Sequence, residues 1–185
     1  MVDDAKEPHG RDEPMSDAHS LKECRRLADI AHGRLVEMGQ TVAVAESLTG
    51  GLISAYLTEA PGTSVTFRGG LVVYCTDLKH RVAGVRKDDL EMYGPVHEVV
   101  AEQLACGARQ RLEADYGIGA TGVAGPGSQG GREVGEVLIA IASAFGVTAK
   151  RYLFDGNRDD IRAATVSEAL SDLISALESA KQTPV

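Results

Sequence analysis

The feature that most constrains the fold is the junction at residues 41–51, TVAVAESLTGG, where a strand pattern gives way to a helix pattern. The run TVAVA is short, β-branched and apolar throughout, as a strand covered on both faces requires. Beyond it Leu52, Ile53, Tyr56 and Leu57 recur at three- and four-residue spacing, which marks one face of a helix. Between the two patterns Ser47, Thr49, Gly50 and Gly51 set hydroxyls beside unpaired backbone N–H groups at the positive end of a helix dipole. Such ground suits a bound anion, or a nucleophile beside an oxyanion hole. The same residues equally describe an N-cap serine followed by a glycine turn, and the segment alone leaves both readings open.

The remaining chain alternates in the same manner. Leu21, Cys24, Leu27, Ala28, Ala31, Leu35 and Met38 share a helical face, predicting a helix over residues 19–38 closed by Gly39. The helix after Ser47 is expected to run until Pro61-Gly62 stops it. Residues 67–75 read as a second strand whose paired glycines mark a bulge or a close backbone approach. A short helix is predicted at 88–93, a long one at 96–114 and a third strand at 116–121. Residues 137–142 and 148–154 form two strands whose short link makes them antiparallel. Asn157, with Asp160 near the box position, caps a final amphipathic helix. Helices interleaved with about five strands predict an α/β fold, a three-layer α/β/α sandwich on a mixed, mostly parallel sheet.

Length allows one domain, placed at residues 18–181, behind a polar, acidic segment at 1–17 that is expected to be disordered and is no signal peptide. No apolar run approaches the ~20 residues of a membrane helix. The net charge of −8 argues against a general nucleic-acid binder, which needs clustered Lys and Arg. Cys24, Cys75 and Cys106 lie far apart in apolar surroundings and read as buried free thiols, implying a reducing, cytoplasmic setting. Scattered histidines give no metal-ligand spacing, so no metal site is expected.

Gly117, Gly119 and Gly122 spell G-x-G-x-x-G, yet they lie within a predicted strand and open no helix, so a dinucleotide fingerprint is ruled down. Residues 121–135 lack Gly-Lys-Ser/Thr, which excludes a Walker loop. This long stretch is too rich in glycine to be regular. Its backbone N–H groups could form an anion-binding nest, with Arg132 adding charge, or it could be a surface loop. Lys79 reads either as a solvated surface lysine or, if buried near Ser47, as a base of lowered pKa. His80 and His97 are alternative bases.

Three blocks in this order, AESLTGGLIS, PGTSVTFRGGLVVYCTDLK and GATGVAGPG, closely resemble the CinA C-terminal domain family. The family's stand-alone members, called PncC, are nicotinamide-nucleotide amidohydrolases. The resemblance implies hydrolysis of nicotinamide mononucleotide to nicotinate mononucleotide and ammonia in NAD salvage, without metal or redox cofactor. It also implies a homo-oligomer, a dimer or higher. Ser47 matches the family's serine as nucleophile, Lys79 its lysine as base, and Tyr74 its tyrosine. Thr121, Gly122, Gly125, Pro126 and Gly127 match the substrate loop. On that reading Thr49, Gly50 or Gly51 supplies oxyanion donors, and the loop with Arg132 holds the phosphate. The chain departs from the family at Leu48 for cysteine and at His97 for serine. Glu133 and Glu136 stand where proline and threonine are usual. A catalytically inactive mononucleotide-binding module of the same fold is the alternative.

Overall fold

Strands and helices alternate along the chain in the computed structural model, which describes residues 21–181. The strands are β1 (Val42–Glu46), β2 (Phe67–Val72), β3 (Tyr116–Gly122), β4 (Glu136–Ser143) and β5 (Gly146–Leu153). They form one sheet in the order β2-β1-β3-β4-β5. β1 lies parallel to β2 and β3, whereas β4 runs antiparallel to both β3 and β5, so β4 alone opposes the common direction. Every residue of β1 and β3 is buried, which is why both read as continuous apolar runs and not as alternating ones.

Alternate side chains of β1 enter different layers. Val42 and Val44 pack with α1 (Leu21–Met38), α2 (Leu52–Leu57) and α6 (Arg158–Lys181) through Leu35, Ile53, Leu170 and Leu173. Ala43 and Ala45 face the other side, against Val100, Leu104 and Ala108 of α5 (Glu98–Arg111). The short helices α3 (Thr76–Arg81) and α4 (Lys87–Tyr93) precede α5. The predicted three-layer sandwich is therefore the observed one.

Close packing accounts for the G-x-G-x-x-G run. A Cβ on Gly117 would stand 2.0 Å from the Ala105 carbonyl oxygen, and one on Gly119 would stand 2.3 Å from that of Ala101. These glycines let the α5 backbone settle directly on β3, which is a packing role and not a cofactor site. Just before the Gly69-Gly70 pair a bulge falls at Arg68, where the β1–β2 register shifts between Val42 and Ala43, and a Cβ on Gly70 would stand 2.1 Å from Ser54 Oγ.

Several boundaries differ from expectation. The helix expected directly after Ser47 begins only at Leu52 and has six residues, because residues 47–51 form a turn. The strand expected over 67–75 ends at Val72. Thr76–Arg81, where no helix was expected, is α3; TDLKHR carries too little apolar periodicity to announce a helix. The glycine loop holds a regular piece after all. Gln129 and Arg132 pair across Gly130 and Gly131, whose φ of 57° and 75° is what a two-residue hairpin requires. Only Cys24 of the three thiols is fully buried; Cys106 is half-buried, and Cys75 is exposed at the start of α3. The expected capping box on α6 is present, with Asn157 Oδ1 accepting from the Asp159 and Asp160 N–H groups and Asp160 Oδ2 accepting from the Asn157 N–H. The expected 1–17 tail and the start of the first helix at His19 lie outside the described residues. Among the described residues no helix is long and apolar enough to cross a membrane.

Candidate active site

The carboxyl ends of the parallel strands β2, β1 and β3 lie side by side, and the crevice beyond such ends is where open α/β sheets hold ligands. Ser47 is the first residue past β1. Its N–H donates to Ala120 of β3 (3.0 Å), and its carbonyl accepts from the Gly50 N–H (3.1 Å).

Ser47 is not the N-cap of the helix that follows. Gly51 occupies that position at φ 102°, and the free N–H groups of α2 are taken by Glu46. The Glu46 carboxylate, wholly buried, accepts from the N–H groups of Gly51 (3.0 Å), Ile53 (3.1 Å) and Ser54 (2.9 Å) and from Ser54 Oγ (2.6 Å). The anion suited to this helix terminus is thus the chain's own side chain. Sequence reasoning passed over Glu46. The available signal was a carboxylate closing an apolar strand, since a charge there must find donors. With Glu46 as the cap, the Ser47 hydroxyl is released from that duty.

That hydroxyl faces Lys79, which α3 carries back over the strand ends. Lys79 is 1% exposed, and its Nζ donates to Ser47 Oγ (2.8 Å) and to the Val73 carbonyl (2.9 Å). Among the described residues no carboxylate pairs with it. Burial therefore holds its pKa down at about 8, with the neighbouring Cys75 thiol pulling weakly upward. At that value about a tenth of the lysine is neutral at pH 7 and able to accept a proton.

A cavity of about 190 Å³ opens over the pair. Ser47, Lys79, Tyr74, Thr121, Gly122, Gly125 and Gly127 line it, together with Gln129 and Arg158, which sequence reasoning missed. Ser47 and Lys79 lie at its closed end, whereas Tyr74 and Arg158 are exposed at its mouth. Arg158 donates to the Gly125 carbonyl (2.9 Å) and to Tyr74 Oη (2.8 Å), so the first residue of α6 ties the glycine loop to the β2–α3 link. Thr121 Oγ1 donates to the Pro95 carbonyl (2.8 Å) and fixes the opposite wall.

Other expected residues are placed elsewhere. Thr49, Gly50, Gly51, Pro126 and Arg132 do not line the cavity. The Gly50 and Gly51 N–H groups are engaged by Ser47 and Glu46 and are not free for an oxyanion. Arg132 pairs with the buried Glu136 (3.0 Å), which Arg151 also meets (2.9 Å), and the arginine that lines the cavity is Arg158. His80 bonds the Val85 carbonyl and lies outside the cavity. Among the described residues no group of three or more His, Cys, Asp or Glu side chains is placed to hold a metal ion.

Residues 25–177 match the family model of the CinA C-terminal domain. This chain belongs to the CinA C-terminal domain family. It is 42% identical over 148 residues to a CinA-like protein of Frankia casuarinae, a match covering 80% of this chain and 34% of that protein. With a CinA-like protein of Acidobacterium capsulatum it shares 41% over 162 residues, covering 86% and 39%. The chain thus spans little more than a third of the length of these curated relatives. Among solved structures, the competence/damage inducible protein CihA of Agrobacterium tumefaciens superposes with a TM-score of 0.80 at 37% identity, covering 84% of this chain and 96% of that one. A CinA superfamily protein of Escherichia coli gives 0.81 at 28%, covering 89% and 94%.

Within the CinA fold the departures of this chain acquire places. Leu48 is buried in the α2 layer and also lines the cavity. His97 caps α5, its Nδ1 accepting from the Val99 N–H (3.3 Å) while the ring stacks on Tyr93. Glu133 is exposed and does not line the cavity, and Glu136 is neutralised by its two arginines.

Proposed function

We propose that this domain is a nicotinamide mononucleotide deamidase that uses Ser47 as nucleophile and Lys79 as base. The observation that carries the reading is the buried Lys79 Nζ at 2.8 Å from Ser47 Oγ, without a carboxylate to hold its proton. Neutral Lys79 accepts the Ser47 proton as Oγ attacks the carboxamide carbon. The developing oxyanion meets the N–H group of Leu48, a residue that lines the cavity and whose N–H makes no hydrogen bond among the described residues. The C–N bond breaks, the Lys79 proton leaves with ammonia, and a water deprotonated by Lys79 hydrolyses the acyl-enzyme to the carboxylate.

The cavity's polarity supports the substrate assignment. Its closed end holds Ser47 and Lys79 where a carboxamide would enter, and its mouth offers one arginine to one anionic group. In this arrangement the ring lies against Ser47, and the phosphate is directed toward Arg158. Ammonia release from nicotinamide mononucleotide and from nicotinamide riboside, measured in parallel, tests both parts. Release from the mononucleotide with much weaker release from the riboside is expected. No release from either substrate rejects the reading in favour of a binding module without chemistry.

A further inference from the structure

We propose that Arg162 is a positioning residue for the nucleophile turn, acting through the Thr49 carbonyl; this rests on Ser47 being the residue acylated. The turn at residues 47–51 contains two successive glycines at positive φ, 62° at Gly50 and 102° at Gly51. Glycine brings no stiffness of its own, so such a turn holds one geometry only where its surroundings fix it. The Thr49–Gly50 peptide is fixed at both ends. Its N–H donates to the Ser47 carbonyl (3.1 Å), and its oxygen accepts from the Leu52 N–H (3.3 Å) and from Arg162 Nη2 (2.9 Å). Of these three bonds, the one from Arg162 alone comes from outside the turn and its helix. The Leu48 N–H, proposed as the oxyanion donor, lies between Ser47 and this fixed peptide.

Arg162 is placed for that task at some cost. Its Nε is buried and has no hydrogen-bond partner among the described residues. A buried donor left unmatched in a native fold calls for a compensating reason. The guanidinium also lies against Gly50, with Nη2 3.7 Å from where a Cβ would stand, so it closes over the turn as well as bonding it. Four residues earlier on the same face of α6, Arg158 reaches Gly125 and Tyr74. Consecutive turns of one helix thereby hold the two sides of the cavity. Arg158 holds the side that would receive the substrate's anionic group, and Arg162 holds the side where charge develops.

The test is the acylation rate of Ser47 by 4-nitrophenyl acetate, with the modified residue located by mass spectrometry. Ammonia release from nicotinamide mononucleotide is followed alongside. Arg162→Gln is expected to slow acylation and kcat together by on the order of 10- to 100-fold, the range that small displacements of reacting groups produce. KM and the pH midpoint should stay near wild type, since neither the cavity mouth nor Lys79 is touched. Arg162→Lys, which keeps a cationic donor beside the turn, should recover part of the rate, and it carries the test if Arg162→Gln does not fold. A folded Arg162→Gln, or in its absence Arg162→Lys, that acylates at the wild-type rate overturns the proposal. A loss confined to KM overturns it too. A wild-type protein that neither acylates at Ser47 nor releases ammonia rejects the deamidase reading, and the proposal falls with it.

Discussion

Lys79 Nζ lies 2.8 Å from Ser47 Oγ although the two residues are 32 positions apart and follow different strands. β1 delivers the serine, and the β2–α3 connection delivers the lysine. Because β1 and β2 are parallel neighbours, their carboxyl ends meet at the same edge of the sheet. A single backbone carbonyl, that of Val73, is the lysine's other acceptor among the described residues. Weak solvation of this kind keeps a lysine near the pKa at which it can exchange protons.

Replacing either member of the pair should abolish turnover without unfolding the domain. Ser47→Ala and Lys79→Ala are expected to lose ammonia release by at least about 10³-fold, as removal of a nucleophile or its base commonly does. Circular dichroism and thermal melts should remain native. Lys79→Arg should also fail, because a guanidinium cannot serve as a base near neutral pH.

The pH dependence follows from Lys79. A base must be deprotonated to act, and this one titrates at about 8. Acylation of Ser47 should therefore rise with pH through a midpoint near 8 and level off above it. A profile flat from pH 6 to 10 would remove Lys79 from the base role.

Stability should rise with pH as activity does, over a higher range. The folded-state pKa of Lys79, about 8, lies below its ordinary 10.5, so between those values the unfolded chain binds more protons. Unfolding free energy attributable to this group therefore rises from pH 8 to 10.5, and the penalty of the buried charge is full below 8. Lys79→Met, which keeps the volume and removes the charge, is expected to stabilise the fold by roughly 1–3 kcal/mol at pH 7, allowing for its lost hydrogen bonds. Denaturant titrations at pH 7 and pH 10 should show that gain shrinking at the higher pH.

Arg158 should govern affinity for the substrate's charged end. Arg158→Ala is expected to raise KM for nicotinamide mononucleotide by about 10- to 100-fold, the worth of a charge-assisted hydrogen bond. The weak reaction with nicotinamide riboside, which lacks the phosphate, should change little. Equal losses on both substrates would place Arg158 in holding the glycine loop instead.

Glu46 should prove structural. Its carboxylate satisfies four donors at the start of α2. Glu46→Ala leaves those groups without partners and is expected to cost about 3–5 kcal/mol in a denaturant melt, with Glu46→Gln costing less. A variant as stable as wild type would mean that water replaces the carboxylate without penalty.

Much of the fold was legible because it rests on local patterns. The unbroken apolar runs of β1 and β3 announced strands covered on both faces, and Asn157 with Asp160 announced the cap of α6. The short link around residues 144–146 announced an antiparallel pair. Where the local pattern was weak, reading failed. TDLKHR lacks the apolar repeat that marks a helix, so α3 was not expected. Ser47 had the right chemistry for an N-cap, and only the carboxylate of Glu46 closing an apolar strand hinted that another side chain takes the N–H groups of α2. Arg132, inside the glycine-rich segment, looked like the substrate's cation until Glu136 was seen to hold it.

The sequence by itself determined the layers, because hydrophobic periodicity is a property of neighbours in the chain, and the family resemblance singled out Ser47 and Lys79 as candidates. Only the tertiary structure decided which of them meet. Parallel pairing sets Ser47, Lys79 and Thr121 at one edge. The return of β5 into α6 then brings Arg158 and Arg162 across from the far end of the chain. Those distances follow from sheet order and helix packing, and no residue spacing in the sequence encodes them.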